Sequence, residues 1–112
     1  MSVPEAVLLM VSAGGRDEAE HLGERVVEEG LAACGSVVPA VHSFYFWGGQ
    51  MQRAHEALLI LKTTREKSAK AVERILELHS YENPEVLELP VTGGSSTYLE
   101  WLAADPGRGA LT

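Results

Sequence analysis

The chain of 112 residues carries four histidines, one cysteine and sixteen carboxylates, and its metal-capable side chains fall into two constellations. The first is His79-x-Tyr81-Glu82 followed by Glu85. One imidazole and two carboxylates so close in sequence are a donor set for a divalent cation such as copper or zinc. The same residues also read as a hydrogen-bonded turn, in which His79 and Tyr81 fix the exit of a helix and an imidazolium would suit its C-terminal dipole. The second constellation is a pair. If Gly48-Gly49 is a two-residue hairpin turn, Trp47 faces Gln50 and, counting away from the turn, His42 faces His55. Opposed residues on antiparallel strands have Cβ atoms about 4.5–5.5 Å apart, near enough for two imidazoles to share Zn²⁺ or Cu²⁺. A one-residue bulge before the pair would send the rings to opposite faces. Without metal they are simply two exposed rings.

Other chemistry is thinner. Tyr45 and Trp47 share one strand face and Phe44 and Phe46 the other, so the hairpin tip can stack a ligand or pack an interface. Lys62 and Arg65 flank Thr63-Thr64 at a strand-to-helix junction, where backbone N–H groups can hold an anion. No Walker or Rossmann glycine string accompanies them. Ser95 and Ser96 suit helix caps better than nucleophiles, no G-x-S-x-G string is present, and the His55-Glu56 pair lacks the second histidine of a zincin. With no catalytic constellation, the chain reads as a non-enzyme.

A net charge of −7 and a pI of about 5.0 argue against nonspecific binding to nucleic acid or to an anionic membrane, since both need a basic face. The single cysteine, Cys34, excludes an intrachain disulfide and any CxxC metal or redox pair, and its apolar neighbours suggest an inert buried thiol. The first residues are apolar but carry Glu5 and no basic start, so they read as a strand rather than a signal peptide. No apolar run approaches the ~20 residues of a membrane span. The cytoplasm is the expected compartment.

These groups must be positioned by a chain whose periodicity changes several times. Val3 to Ser12 is an apolar run suited to a central strand. Arg16 to Glu29 is helical, with Ala19, Leu22 and Val26 on one stripe and Val27 widening it. Ser36 to Trp47 and Gln50 to Thr64 are rich in β-branched and aromatic residues and form a hairpin around Gly48-Gly49. Pro39 lies inside the first arm and demands an edge or a bulge. Thr64 is placed to cap a helix over Arg65 to His79, with Ala69, Val72, Leu76 and His79 on its stripe. Glu85 to Val91 alternates as a short strand, and Ser95 or Ser96 caps a last helix over Thr97 to Ala104, stopped by Asp105-Pro106-Gly107 ahead of a fraying tail. The order βαββαβ plus a C-terminal helix predicts one α+β domain over residues 1–112, of ferredoxin-like type. A second arm of up to fifteen residues spans roughly 50 Å, whereas a compact domain of this size is about 35 Å across. The hairpin Ser36–Thr64 should therefore overhang, and an apolar ribbon with open edges calls for pairing with further copies of the chain.

Several separated strings, in order and with matched spacing, resemble the CutA family of divalent-cation tolerance proteins. They are L-A-A-C at 31–34, V-V-P-A-V-H-S-F-Y-F-W-G-G at 37–49, L-L-I-L-K-T-T at 58–64, E-L-H-S-Y-E-N-P-E at 77–85, and L-P-V followed by Y-L-E-W-L within 89–102. The resemblance covers Val3 to Ala104. It implies a ferredoxin-like subunit in a homotrimer built through the Ser36–Thr64 hairpin, and a role in the response to metal ions, copper among them. In some members a cysteine ending the first strand and a histidine pair before H-x-Y-x-x-P-E are proposed copper ligands. Here Val11 stands at the cysteine position and Leu78 replaces the first histidine, leaving His79 alone. Two other functions fit the same topology: a trimeric small-molecule sensor resembling PII signalling proteins, with ligand near Lys62, Arg65 or the aromatic tip, and a structural scaffold that binds a partner without a ligand. A copper chaperone of the M-x-C-x-x-C type is excluded by the single cysteine, and an RNA-binding domain of like topology is disfavoured by charge and by the lack of its aromatic strand motif.

Overall fold

The computed structural model describes residues 5–104. Along β1 (Ala6–Ala13) the side chains of Val7, Leu9, Val11 and Ala13 are fully buried, while Leu8, Met10 and Ser12 between them are only partly so. That two-residue alternation assigns the two faces of the sheet. β1 is followed by α1 (Arg16–Glu28), β2 (Cys34–Trp47), β3 (Gln50–Thr64), α2 (Arg65–Leu78), β4 (Val86–Pro90) and α3 (Ser96–Ala103). The strands lie in the order β2-β3-β1-β4 with each neighbouring pair antiparallel. The expected α+β architecture is therefore observed. The expected strand start at Val3, the stop at Asp105-Pro106-Gly107 and the frayed tail lie outside the described residues.

One face of the sheet carries the core. Leu9, Val11 and Ala13 of β1 and Ala57, Leu59 and Leu61 of β3 pack against Ala19, Leu22 and Val26 of α1 and Ala71 and Ile75 of α2. Both long helices thus cover the same face. A Cβ on Gly23 of α1 would come within 2.8 Å of the Leu59 side chain, so the missing side chain lets α1 approach the sheet closely. The expected stripe on α1 is observed, but that on α2 is rotated by about one residue. Ser68, Ala71 and Ile75 are the buried positions, Ala69 is exposed, and Leu76 is 50% exposed. The periodicity was legible; its phase was not, because Ser68 is buried as a hydrogen-bond donor to Glu88 of β4 rather than as an apolar group. α2 also ends at Leu78, with His79 as its extended C-cap. α3 packs against β1 and β3 apart from this core, with Leu102 buried and Tyr98 Oη 3.5 Å from Cys34 Sγ.

The hairpin overhangs as the chain length required. Pairing of β3 with β1 stops at Ala57 opposite Ala13, so Gln50 to Glu56 have only β2 beside them. The long axis measures 51 Å against 25 and 22 Å for the others. Gly48 and Gly49 both adopt positive φ (62° and 78°), the backbone of a two-residue turn matched to strand twist. The register slips between Val38 and Val41, leaving Pro39 and Ala40 as the bulge that Pro39 demands. From Val41 to the turn it is unbroken. Phe44, Tyr45, Phe46, Trp47 and Met51 are all exposed, Trp47 at 73%.

Candidate metal centre

α2 delivers His79 to the end of the sheet, and the ring is used there on both sides. Its side chain is fully buried. Nδ1 accepts a hydrogen bond from the Tyr81 backbone N–H at 3.0 Å, so the ring proton sits on Nε2, which donates to the Ser12 carbonyl at 2.7 Å. Metal ligation needs an unprotonated nitrogen with a free lone pair. In His79 the only such lone pair is already directed at a backbone N–H. Glu82 and Glu85 are exposed, and Glu85 reaches Ser12 only through its backbone carbonyl, which accepts from Ser12 N–H at 3.3 Å. Among the described residues no three His, Cys, Asp or Glu side chains are gathered to hold an ion. The His79, Glu82 and Glu85 donor set therefore does not fit a metal here; His79 and Tyr81 build the turn, which is the other reading of the same residues.

Two residues that sequence reasoning passed over complete this turn. Glu18, in the first turn of α1, accepts from Gly14 N–H at 3.1 Å and from Ser80 N–H at 2.9 Å, and stands 3.7 Å from His79 Nδ1. Burial pushes its carboxyl up, but the hydrogen bonds from Ser80 and Gly14 outweigh that and hold it below the ordinary range. Glu56, at the root of the overhang, accepts from Tyr81 Oη at 2.7 Å. Burial first, and then this carboxylate, push the Tyr81 phenol up to about 12. The chain of contacts from Gly14 through Glu18, Ser80, His79 and Tyr81 to Glu56 ties α1, the α2–β4 loop and the hairpin together. An acidic residue in a first helical turn suits the helix dipole wherever it points, and nothing in the spacing of Glu18 announces a target 62 residues away.

The hairpin pair is different in kind. His42 and His55 are directly opposed, as counting from the turn predicted, because the bulge falls beyond Val41. Both are exposed, and their ring centroids lie 4.6 Å apart with planes tilted by 55°. Neither has another partner among the described residues.

The remaining sequence candidates are placed as follows. Tyr45 and Trp47 share an exposed face of the ribbon. Lys62 Nζ donates to Ser36 Oγ at 2.9 Å, and Arg65 pairs with Glu5 at 2.8 Å and Glu88 at 3.5 Å. Both cations flanking the α2 N-terminus are thus engaged within the chain, which weakens that junction as an anion site. No described helix is long and apolar enough to cross a membrane.

Known proteins share this chain's sequence pattern and architecture. Residues 7–105 match the family described as CutA1 divalent ion tolerance protein. The divalent-cation tolerance protein CutA of Citrobacter koseri is 39% identical over 104 residues, 93% of this chain and 90% of that protein. CutA1 from Oryza sativa superposes with a TM-score of 0.88 at 33% identity, covering 96% of this chain and 99% of the rice chain. The Thermus thermophilus protein gives 0.86 at 35% identity, covering 91% and 99%. The periplasmic divalent cation tolerance protein CutA from Archaeoglobus fulgidus gives 0.85 at 30% identity, covering 89% and 97%. A match in sequence over nearly the whole length, together with the same α+β architecture, makes this chain a member of the CutA1 divalent-cation tolerance family.

Proposed function

We propose that the protein serves divalent-cation tolerance without catalysis, as a ferredoxin-like homotrimer that binds a divalent metal of the copper or zinc type. The observation that carries the reading is the overhanging hairpin. Its two strands leave the domain with only each other for company, and both outer strands of the sheet, β2 and β4, have an open edge. Open edges and an exposed aromatic ribbon are liabilities that a closed ring of copies removes, since the β2 edge of one subunit can pair with the β4 edge of the next. Leu87 and Leu89 of β4 and Val38 of β2 are exposed in the single subunit and would be covered by such pairing. The metal is supported by family membership and by the two unengaged imidazoles on that same ribbon. The lone thiol, Cys34, suits a reducing cytoplasm, and cell fractionation tests that placement.

Light scattering is the direct test of assembly. The wild-type protein is expected to run at three times the subunit mass of 12.1 kDa, and Leu87→Asp with Leu89→Asp on the β4 edge strand is expected to shift it toward monomer with the fold retained by circular dichroism. A wild-type monomer would sink the assembly. Titration of metal-free protein with Cu²⁺ and Zn²⁺ tests the other half: absence of saturable heat from either ion would remove metal binding from the reading.

A further inference from the structure

We propose that His42 and His55 form a cross-strand clamp for one transition-metal dication, Zn²⁺ or Cu²⁺, and that the chain takes its metal on the hairpin rather than at the His79 turn. The inference rests on the metal-binding reading above and gives it a location.

Three observations carry it. The first is register: the two residues are paired partners, with an unbroken ladder between them and the Gly48-Gly49 turn. A two-residue turn therefore holds their Cα atoms in place before any metal arrives, which removes much of the ordering cost of chelation. The second is distance. Two imidazole nitrogens bound to one Zn²⁺, each at about 2.0–2.1 Å, lie roughly 3–3.5 Å apart. Rings whose centroids are 4.6 Å apart reach that spacing by side-chain rotation alone. The third is availability: unlike His79, these rings are exposed in the single subunit and, among the described residues, spend no nitrogen on the backbone.

The chemistry of the donors sets the class of ion. Neutral imidazole suits zinc and copper, whereas calcium and magnesium demand oxygen ligands, which this face of the ribbon does not offer. The face carries His42, Phe44 and Phe46 from β2 and His55, Arg53 and Met51 from β3. Two protein donors leave the remaining coordination positions open to solvent. Because the ion would join β2 to β3 where neither has any other neighbour in the subunit, loading should also slow local opening of the ribbon by mass action.

The test is calorimetric titration of metal-free protein with ZnCl₂ and CuCl₂, in wild type, His42→Ala, His55→Ala and His79→Ala, beside hydrogen exchange of the wild type with and without Zn²⁺. Saturable binding at one ion per subunit is expected, weakened at least about ten-fold by either hairpin substitution, since one imidazole alone makes no chelate. Zn²⁺ is expected to slow exchange in segments 41–47 and 50–56 first. Hairpin variants that bind like wild type, or protection confined to the His79 turn, would overturn the location while leaving metal binding intact. No saturable binding by the wild type would overturn both. Should His79→Ala fail to fold, the exchange map and the two exposed hairpin variants still decide the matter.

Discussion

The same side chain appears in two opposite conditions in this molecule. At the α2–β4 turn, His79 is buried with both nitrogens hydrogen-bonded to backbone groups. On the overhang, His42 and His55 face each other, exposed, with their nitrogens unspent among the described residues. The turn sits inside a family string, H-x-Y-x-x-P-E, and looks like the chemical centre; of the pair, His42 lies in the string at 37–49 and His55 in none. The contrast teaches that a recurring local string can be consumed in holding elements together. Donors available for chemistry are those that the fold leaves without a structural task.

The two regions should respond very differently to loss of an imidazole. His79→Ala removes two hydrogen bonds and strands the Ser12 carbonyl and the Tyr81 N–H, an expected loss of about 2–4 kcal/mol in denaturant unfolding. His42→Ala or His55→Ala in metal-free protein should change stability by no more than about 0.5 kcal/mol. Equal losses at all three positions would break the comparison.

A smaller effect is expected at Tyr81, which links the turn to the root of the hairpin. Tyr81→Phe removes the hydrogen bond to Glu56 and should cost about 1 kcal/mol. The pH dependence has a definite sign. The folded phenol titrates at about 12 against about 10 in an unfolded chain, so the native state favours the neutral form. That contribution is fully present below pH ~10 and is lost as pH rises through about 12. Tyr98 also titrates late, raised by its contact with Cys34 and by burial. Ultraviolet titration of phenolate should therefore lose the step near pH 12 in Tyr81→Phe while the Tyr98 step remains; a variant that keeps the step near pH 12 would assign it elsewhere. Glu18 acts at the other end of the scale. Its carboxyl is depressed, so its contribution stands above the ordinary carboxylate range and fades as pH falls through its lowered folded value. Glu18→Gln should flatten the acid limb of the stability curve, and an unchanged limb would remove Glu18 from that role.

The smallest effect sharpens the hairpin side. Arg53 shares the face of His55, two pairs nearer the turn, or about 7 Å along the strand. Its charge opposes a dication there, so Arg53→Gln should tighten Zn²⁺ binding about two-fold at low salt. A change of the opposite sign would place the ion away from this face.

Much of this was legible locally. Gly48-Gly49 between β-rich arms announced the hairpin and, by counting, the facing of His42 and His55. Pro39 announced an edge or a bulge, because a residue without an N–H cannot donate to a ladder, and the fold gives it both. The length of the second arm announced the overhang. The phase of α2 was not legible, since Ala69 and Leu76 are as apolar as the residues that are buried in their place. Glu18 and Glu56 were not legible either, because their targets are distant in sequence and any acidic residue would look the same in those positions.

Chain chemistry alone thus settled the order of elements and the turn, narrowed Pro39 to an edge or a bulge, and made the hairpin histidines a facing pair provided no bulge came between them and the turn, all of which depend on near neighbours and on the two-residue period of a strand. Only the folded molecule decided which histidines are spent and which are free. That choice depends on where the α2 terminus meets the end of β1, and on backbone groups of Ser12 and Tyr81 that have no signature in the sequence.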